Sequence, residues 1–182
     1  MADRAGAMGP AIGTRSSERA PDVYVDARLH LAALSMVAGC IHAVVAAPHF
    51  AEYALFGAFF AALAAFQLGW GAWVYARPSR PAYVLGAVAS AVVILLWVAS
   101  RTVGVPLGPA AGQAEAVGPL DPAASAIEAA ILVLCRGFLR ADGRLPVSGD
   151  LGIPVRHLRP LVLVLMTGGL LAMLLGGAHH YG

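Results

Sequence analysis

From residue 28 to residue 178 the chain alternates long apolar stretches with short polar breaks, and the lengths of the stretches indicate what they are. Residues 28–47, 49–76, 82–100, 122–139 and 160–178 each come near the roughly 20 residues with which an α-helix crosses a bilayer. The third holds no charge at all, whereas the fourth, with Glu128 and Arg136, is the weakest. A lipid environment permits helices or a closed barrel, and no ten-residue apolar–polar alternation points to strands. The expected fold is therefore an all-α bundle of five transmembrane helices. Residues 1–27 mix Arg4, Arg15 and Arg19 with Asp3, Glu18 and Asp22 and show no apolar periodicity. They read as a disordered tail, too long and too acidic for the usual start of a signal peptide. The expected organisation is this tail followed by one membrane domain over residues 28–182.

Charge placement gives the orientation. The chain has twelve Arg residues and no Lys. In a five-span reading, Arg4, Arg15, Arg19, Arg28, Arg77, Arg80, Arg136, Arg140, Arg144, Arg156 and Arg159 fall on one side and Arg101 alone on the other. Basic residues mark cytoplasmic loops, so the N-terminus is expected inside and the C-terminus outside, in a plasma membrane. Composition agrees: 59% of residues are hydrophobic, 12% are charged, and the mean hydropathy is +0.75. Soluble domains carry about a quarter charged residues. The Lys-free usage reads as coding bias, so nucleic acid is not an expected partner. The bilayer is, and other membrane subunits are compatible with the pattern.

Smaller signals concern packing and ends. Ala58 with Ala62, Gly86 with Ser90, and Gly169 with Met173 and Gly177 have the four-residue spacing that lets helices approach in lipid. Trp70, Trp73, Tyr75 and Tyr83 suit an interfacial belt, and Asp121-Pro122 suits an N-cap followed by a first-turn proline. Val37-Ala38-Gly39-Cys40 has the look of a lipobox, but the apolar run continues through Ile41, Val44 and Val45, which argues for an intact first span. Cys40 and Cys135 are expected at different depths, out of disulfide range.

The candidate chemistry lies towards the expected outer face. Counted from Pro48 and Asp121 at 1.5 Å per residue, His42 and Glu128 lie about 9 and 10 Å below their helix ends. His49 and Glu52 stand at the turn between the first two spans, and His179 and His180 follow the fifth. Ionisable groups in lipid usually face the bundle interior, paired or ligated. Imidazole with carboxylate suits zinc or copper, and Met173 would add a preference for copper(I). His42, His49, Glu52, Glu128, His179 and His180 are thus candidate metal ligands, although no H-E-x-x-H helix pattern is present. The structural alternative pairs Glu128 with Arg101 and leaves His42 and the deeper Gln67 to bond between helices. Residues 102–121, rich in Gly and Pro, read equally as a lid over this cluster or as a solvated linker.

The run Trp97-Val-Ala-Ser-Arg101-Thr-Val-Gly104-Val-Pro106-Leu-Gly108-Pro109, followed by Glu115, Gly118, Asp121 and Glu128, resembles small multi-pass membrane proteins of high-GC actinobacteria. With His42, Pro48-His49-Phe50 and Glu52 the resemblance covers about half the chain. It implies no activity and bears only on the choice of residues.

Three classes of function stay open at this level. One is an outer-face copper or zinc site. The second is a haem- or quinone-associated membrane redox subunit, with His42 and an outer His as axial ligands in the haem case. The third is a structural or accessory subunit with no chemistry of its own. Nucleotide, phosphate and Ser-His-Asp motifs are missing from the sequence.

Overall fold

The computed structural model describes residues 19–141 together with residues 163, 164 and 167, with side chains described from residue 27 onward. The regular structure among the described residues is entirely helical. Four helices, α1 (Arg19–Glu52), α2 (Ala54–Ala76), α3 (Arg80–Thr102) and α4 (Asp121–Arg140), follow one another up and down. All four are long and apolar enough to cross a membrane, α1 from Ala27 onward. Leu163, Val164 and Thr167 are helical; the rest of the expected fifth span lies outside the described residues, as do Met173, His179 and His180.

Helix α1 organises the interior. Its Leu31, Leu34, Ala38 and Ile41 are buried, and their alternating spacing of three and four places them on one stripe. Ile127, Ile131, Leu134, Cys135 and Phe138 of α4 pack against the same core. Helix α1 lies along both α2 and α4, and α3 lies along α4. The outward faces of α2 and α3 stay apolar and uncovered, with Leu55 57%, Val88 56% and Leu95 67% exposed. An uncovered apolar face of this extent is unsuited to water and suited to lipid. The architecture is compatible with an integral membrane protein.

Close packing explains several small residues. A Cβ on Gly39 would lie 2.9 Å from Leu68 Cγ, and one on Gly71 would lie 3.1 Å from the Ala32 carbonyl oxygen. These glycines let α1 and α2 approach until the Ser35 hydroxyl donates to the Gln67 carbonyl across 2.7 Å. On α3, Gly86 lies directly beneath the Trp70 ring, where any Cβ would collide with it.

Several sequence expectations need correction. The first helix does not stop at residue 47: it begins at Arg19 and passes through Pro48 to Glu52. Pro48 forfeits only its own N–H bond, a defect that membrane helices tolerate. Asp121 is not the N-cap of α4. Leu120 holds that position, and Asp121 in the first turn instead accepts from the Gly118 N–H at 2.8 Å. Trp70 and Tyr83 do not form an interfacial belt with the exposed Trp73 and Tyr75. Both are buried; the Trp70 indole donates to the Ala82 carbonyl at 2.9 Å, and Tyr83 stacks on Phe138 at 4.7 Å and 4°. Gly86 and Ser90 do face the interior, whereas Ala58 and Ala62 face outward. Cys40 is exposed and Cys135 buried, both as free thiols.

Candidate functional site

Three polar side chains meet inside the bundle, one from each of three helices. His42 of α1 and Gln67 of α2 are each 4% exposed, and Glu128 of α4 is 0% exposed. The Gln67 Nε2 donates to Glu128 Oε1, and His42 Nε2 lies 3.5 Å from the same oxygen. Ser35 holds the Gln67 backbone from the other side. A buried carboxylate is costly unless its oxygens accept hydrogen bonds. The Gln67 amide and the His42 ring both approach Oε1, yet Glu128 Oε2, Gln67 Oε1 and His42 Nδ1 have no protein partner.

A cavity of about 490 Å³ opens beside this cluster, between all four helices. His42 forms part of its wall, with Phe56, Phe59 and Phe60 of α2 and Trp97 of α3 around it. The Trp97 indole N–H is also buried without a partner. The lining is therefore mainly aromatic and apolar, with two wall residues, His42 and Trp97, each carrying a buried nitrogen that has no protein partner. Its size falls within the range of sites for small organic ligands, and so does its mainly apolar character.

The connection between α3 and α4 crosses one end of the cavity, adding Val105, Pro106 and Leu107 to the wall. Arg101 holds it down. Its Nε and Nη2 donate to Asp121 Oδ2 at 3.1 and 2.6 Å, and its Nη1 donates to Glu115. The Glu115 N–H donates to the Ser100 carbonyl at 2.9 Å, and Gly112 N–H to Val105 at 2.8 Å. Gly104, Gly108 and Gly112 have φ of 75°, 82° and 75°, a region that favours glycine. Gly108 also rests against Phe56, where a larger residue would collide. This geometry matches the lid reading of residues 102–121. It overturns the alternative Glu128–Arg101 pair, because Arg101 bonds Asp121 and Glu115 on its own end of the bundle.

The candidate ligands separate into groups. His42 and Glu128 come together, 3.5 Å apart. His49 is set apart: its Nδ1 bonds its own helix at the Val45 carbonyl, 2.7 Å away, and its ring packs on Phe60 at 4.3 Å. Glu52 is exposed at the end of α1. His179 and His180 lie outside the described residues. Among the described residues, no three His, Cys, Asp or Glu side chains are grouped to hold a metal.

Sequence reasoning gave Gln67 an interhelical bond but placed it far below His42. The cause was the α1 boundary. Once α1 extends to Glu52, His42 lies ten residues from its end, and Gln67 lies thirteen from the start of α2. The depths are then about 15 and 20 Å, nearer to one another, and both side chains reach Glu128. The aromatic lining had a readable signal in Phe56, Phe59 and Phe60, which recur at helical spacing on the turn that faces His42 and His49.

The class is thus that of a helical bundle compatible with the membrane, holding a buried polar cluster beside an aromatic cavity. No protein-family model, curated protein or solved structure matches the chain.

Proposed function

We propose that this chain is a multi-pass protein of the cell membrane whose cavity binds a lipid-soluble, oxygen-bearing ring of the quinone class, as a subunit of a membrane redox system. One observation carries the reading: His42, a residue of the aromatic cavity's wall, has an Nδ1 with no protein partner while Glu128 lies 3.5 Å from its Nε2. Aromatic faces suit a flat ring, and the two unpartnered nitrogens of His42 and Trp97 suit ring oxygens. A carboxylate behind an imidazole orients the ring and sets its tautomer.

The topology proposed with it has five spans, the N-terminus in the cytoplasm and the C-terminus outside. Arg77, Arg80 and Arg140 at one end of the described helices, against Arg101 at the other, support it.

A copper or zinc centre is the second reading, favoured by the adjacency of His42 and Glu128. It needs more ligands than these two, and the sequence offers His179 and His180 for the purpose. Equilibrium dialysis of the detergent-purified protein against a decyl-substituted para-benzoquinone tests the first reading. Binding near one equivalent is expected, weakened about tenfold or more in His42→Ala. Elemental analysis of the same sample tests the second. Stoichiometric copper or zinc that is lost in His42→Ala, with no quinone bound, would replace the first reading with the second.

A further inference from the structure

The four helices do not close the cavity equally on all sides. Helix α1 packs along α2 and along α4, and α3 packs along α4, whereas α2 and α3 touch little. Their contact lies near the turn they share, where Trp70 donates to the Ala82 carbonyl and covers Gly86. Towards the far end of α3 the two helices stand apart with the cavity between them.

The walls differ accordingly. On α1, Ile41 and His42 line the cavity and are 1% and 4% exposed. On the side of α2 and α3, Leu55, Phe59 and Leu96 line it too, yet they are 57%, 42% and 42% exposed. A residue that borders both a cavity and the outside stands at a mouth. These three are apolar, and they belong to the outward faces of α2 and α3 that suit lipid.

The mouth has a definite depth. Leu55 and Phe59 fall within the first six residues of α2, and Leu96 lies six residues before the end of α3. At 1.5 Å per residue all three are within about 9 Å of the helix ends, a level at which amphipathic rings settle in a bilayer. The way to water at that end is covered. The α3–α4 connection crosses to α2, where Gly108 rests on Phe56, and Arg101 ties it to Asp121 and Glu115.

We propose that the cavity takes its ligand sideways from the bilayer, through the cleft between α2 and α3, and that the ligand's hydrocarbon chain stays in that cleft. The identity of the ring rests on the quinone reading; the mouth does not. A molecule with a fixed charge is kept out on both routes. The apolar rim would strip its hydration, and the connection bars the aqueous end.

The test puts a thiol on the wall away from the mouth and asks which reagent reaches it. Val45 of α1 and Ser125 of α4 both line the cavity and are half-buried, so Val45→Cys and Ser125→Cys give two independent positions. The native thiols are internal standards, Cys40 exposed and Cys135 buried. Each full-length variant, its fold checked by circular dichroism, is reconstituted in liposomes. It is treated with a maleimide bearing an alkyl chain, or with one bearing a sulfonate on both faces, and peptide masses give the rate at each thiol. The alkyl reagent is expected to modify the introduced thiol within about tenfold of its rate at Cys40, and more than tenfold faster than at Cys135. The sulfonate reagent should leave it unmodified until the chain is unfolded in dodecyl sulfate. Modification by the sulfonate reagent in the folded chain would overturn the proposal, because the cavity would then open to water. Introduced thiols at both positions as inert as Cys135 would overturn it as well, and would mean that residues 160–178 or a second copy of the chain cover the cleft. Dialysis of the wild type against the decyl-substituted para-benzoquinone separates this from the quinone reading. Labelling from the lipid side with no quinone bound would overturn that reading and leave the mouth; quinone bound without such labelling would do the reverse.

Discussion

Glu128 is the most demanding residue in the bundle, because a carboxylate with no exposure in an apolar interior costs several kcal/mol unless its oxygens are satisfied. Gln67 and His42 meet that demand at one oxygen and leave the other bare. An arrangement of this sort is poor economy for a purely structural bond. A leucine at 128 would avoid that cost. Gly86 shows the opposite kind of constraint, a steric one. The Trp70 ring occupies the place where its side chain would be, while the Trp70 indole is held by Ala82. Gly86→Val should lower stability by about 1–3 kcal/mol through overpacking. Unfolding in mixed detergent with the Trp signal should show the loss, and an unchanged transition would mean that Trp70 can move aside at no cost.

At the level of elements, the α3–α4 connection is fixed mainly by one side chain. Arg101, with its side chain 15% exposed, bridges Asp121 at the start of α4 and Glu115 in mid-loop. Its removal leaves two carboxylates facing one another with no cation between them. Arg101→Gln should weaken the local fold by about 1–3 kcal/mol, seen as faster amide exchange at Gly112 and Glu115 with the helix cores unchanged. Exchange at the wild-type rate would show that the glycine-rich backbone holds itself. The same elements show what the sequence could and could not reveal. Apolar length alone located α2, α3 and α4 to within a few residues, because in lipid a spanning segment must be helical. The end of α1 was misplaced because Pro48 is a stop signal in water and a tolerated defect in a membrane helix. Trp70 and Tyr83 were assigned to an interface because their type and position near helix ends said so. Only the packing of α3 on α4 and the closeness of Ala82 reveal that they are buried. Arg101 illustrates a further limit: three carboxylates lay within plausible reach, and chain geometry, not composition, chose Asp121 and Glu115 over Glu128.

For the whole molecule, the up-and-down order makes a direct prediction about sidedness. The α2–α3 link at Ser79 and the α3–α4 connection at Gly112 lie at opposite ends of α3. Reporter fusions at Ser79 and Gly112 should therefore report opposite sides, cytoplasmic and external respectively under the proposed orientation. A fusion at Gly182 should report outside if the fifth span is present. The same side for Ser79 and Gly112 would mean that α3 does not cross. The uncovered faces of α2 and α3 set a further expectation, that the protein leaves membranes only with detergent and not with high salt or alkali.

The joint between α1 and α2 consists of one residue. Tyr53 alone is extended, with φ −158° and ψ 122°, and hydrogen bonds from Tyr53 N–H to His49 and from Gly57 N–H back to Tyr53 continue almost without pause across it. Phe50 fills the space over Gly57 and closes the corner. So tight a reversal has a consequence during synthesis. Insertion of the two helices as one hairpin is the route that such a joint favours, and it would bring His42 and Gln67 together on the same side. Half of the polar cluster then precedes α4 in chain order, and Glu128 comes last, to a place where both of its partners, His42 and Gln67, already lie.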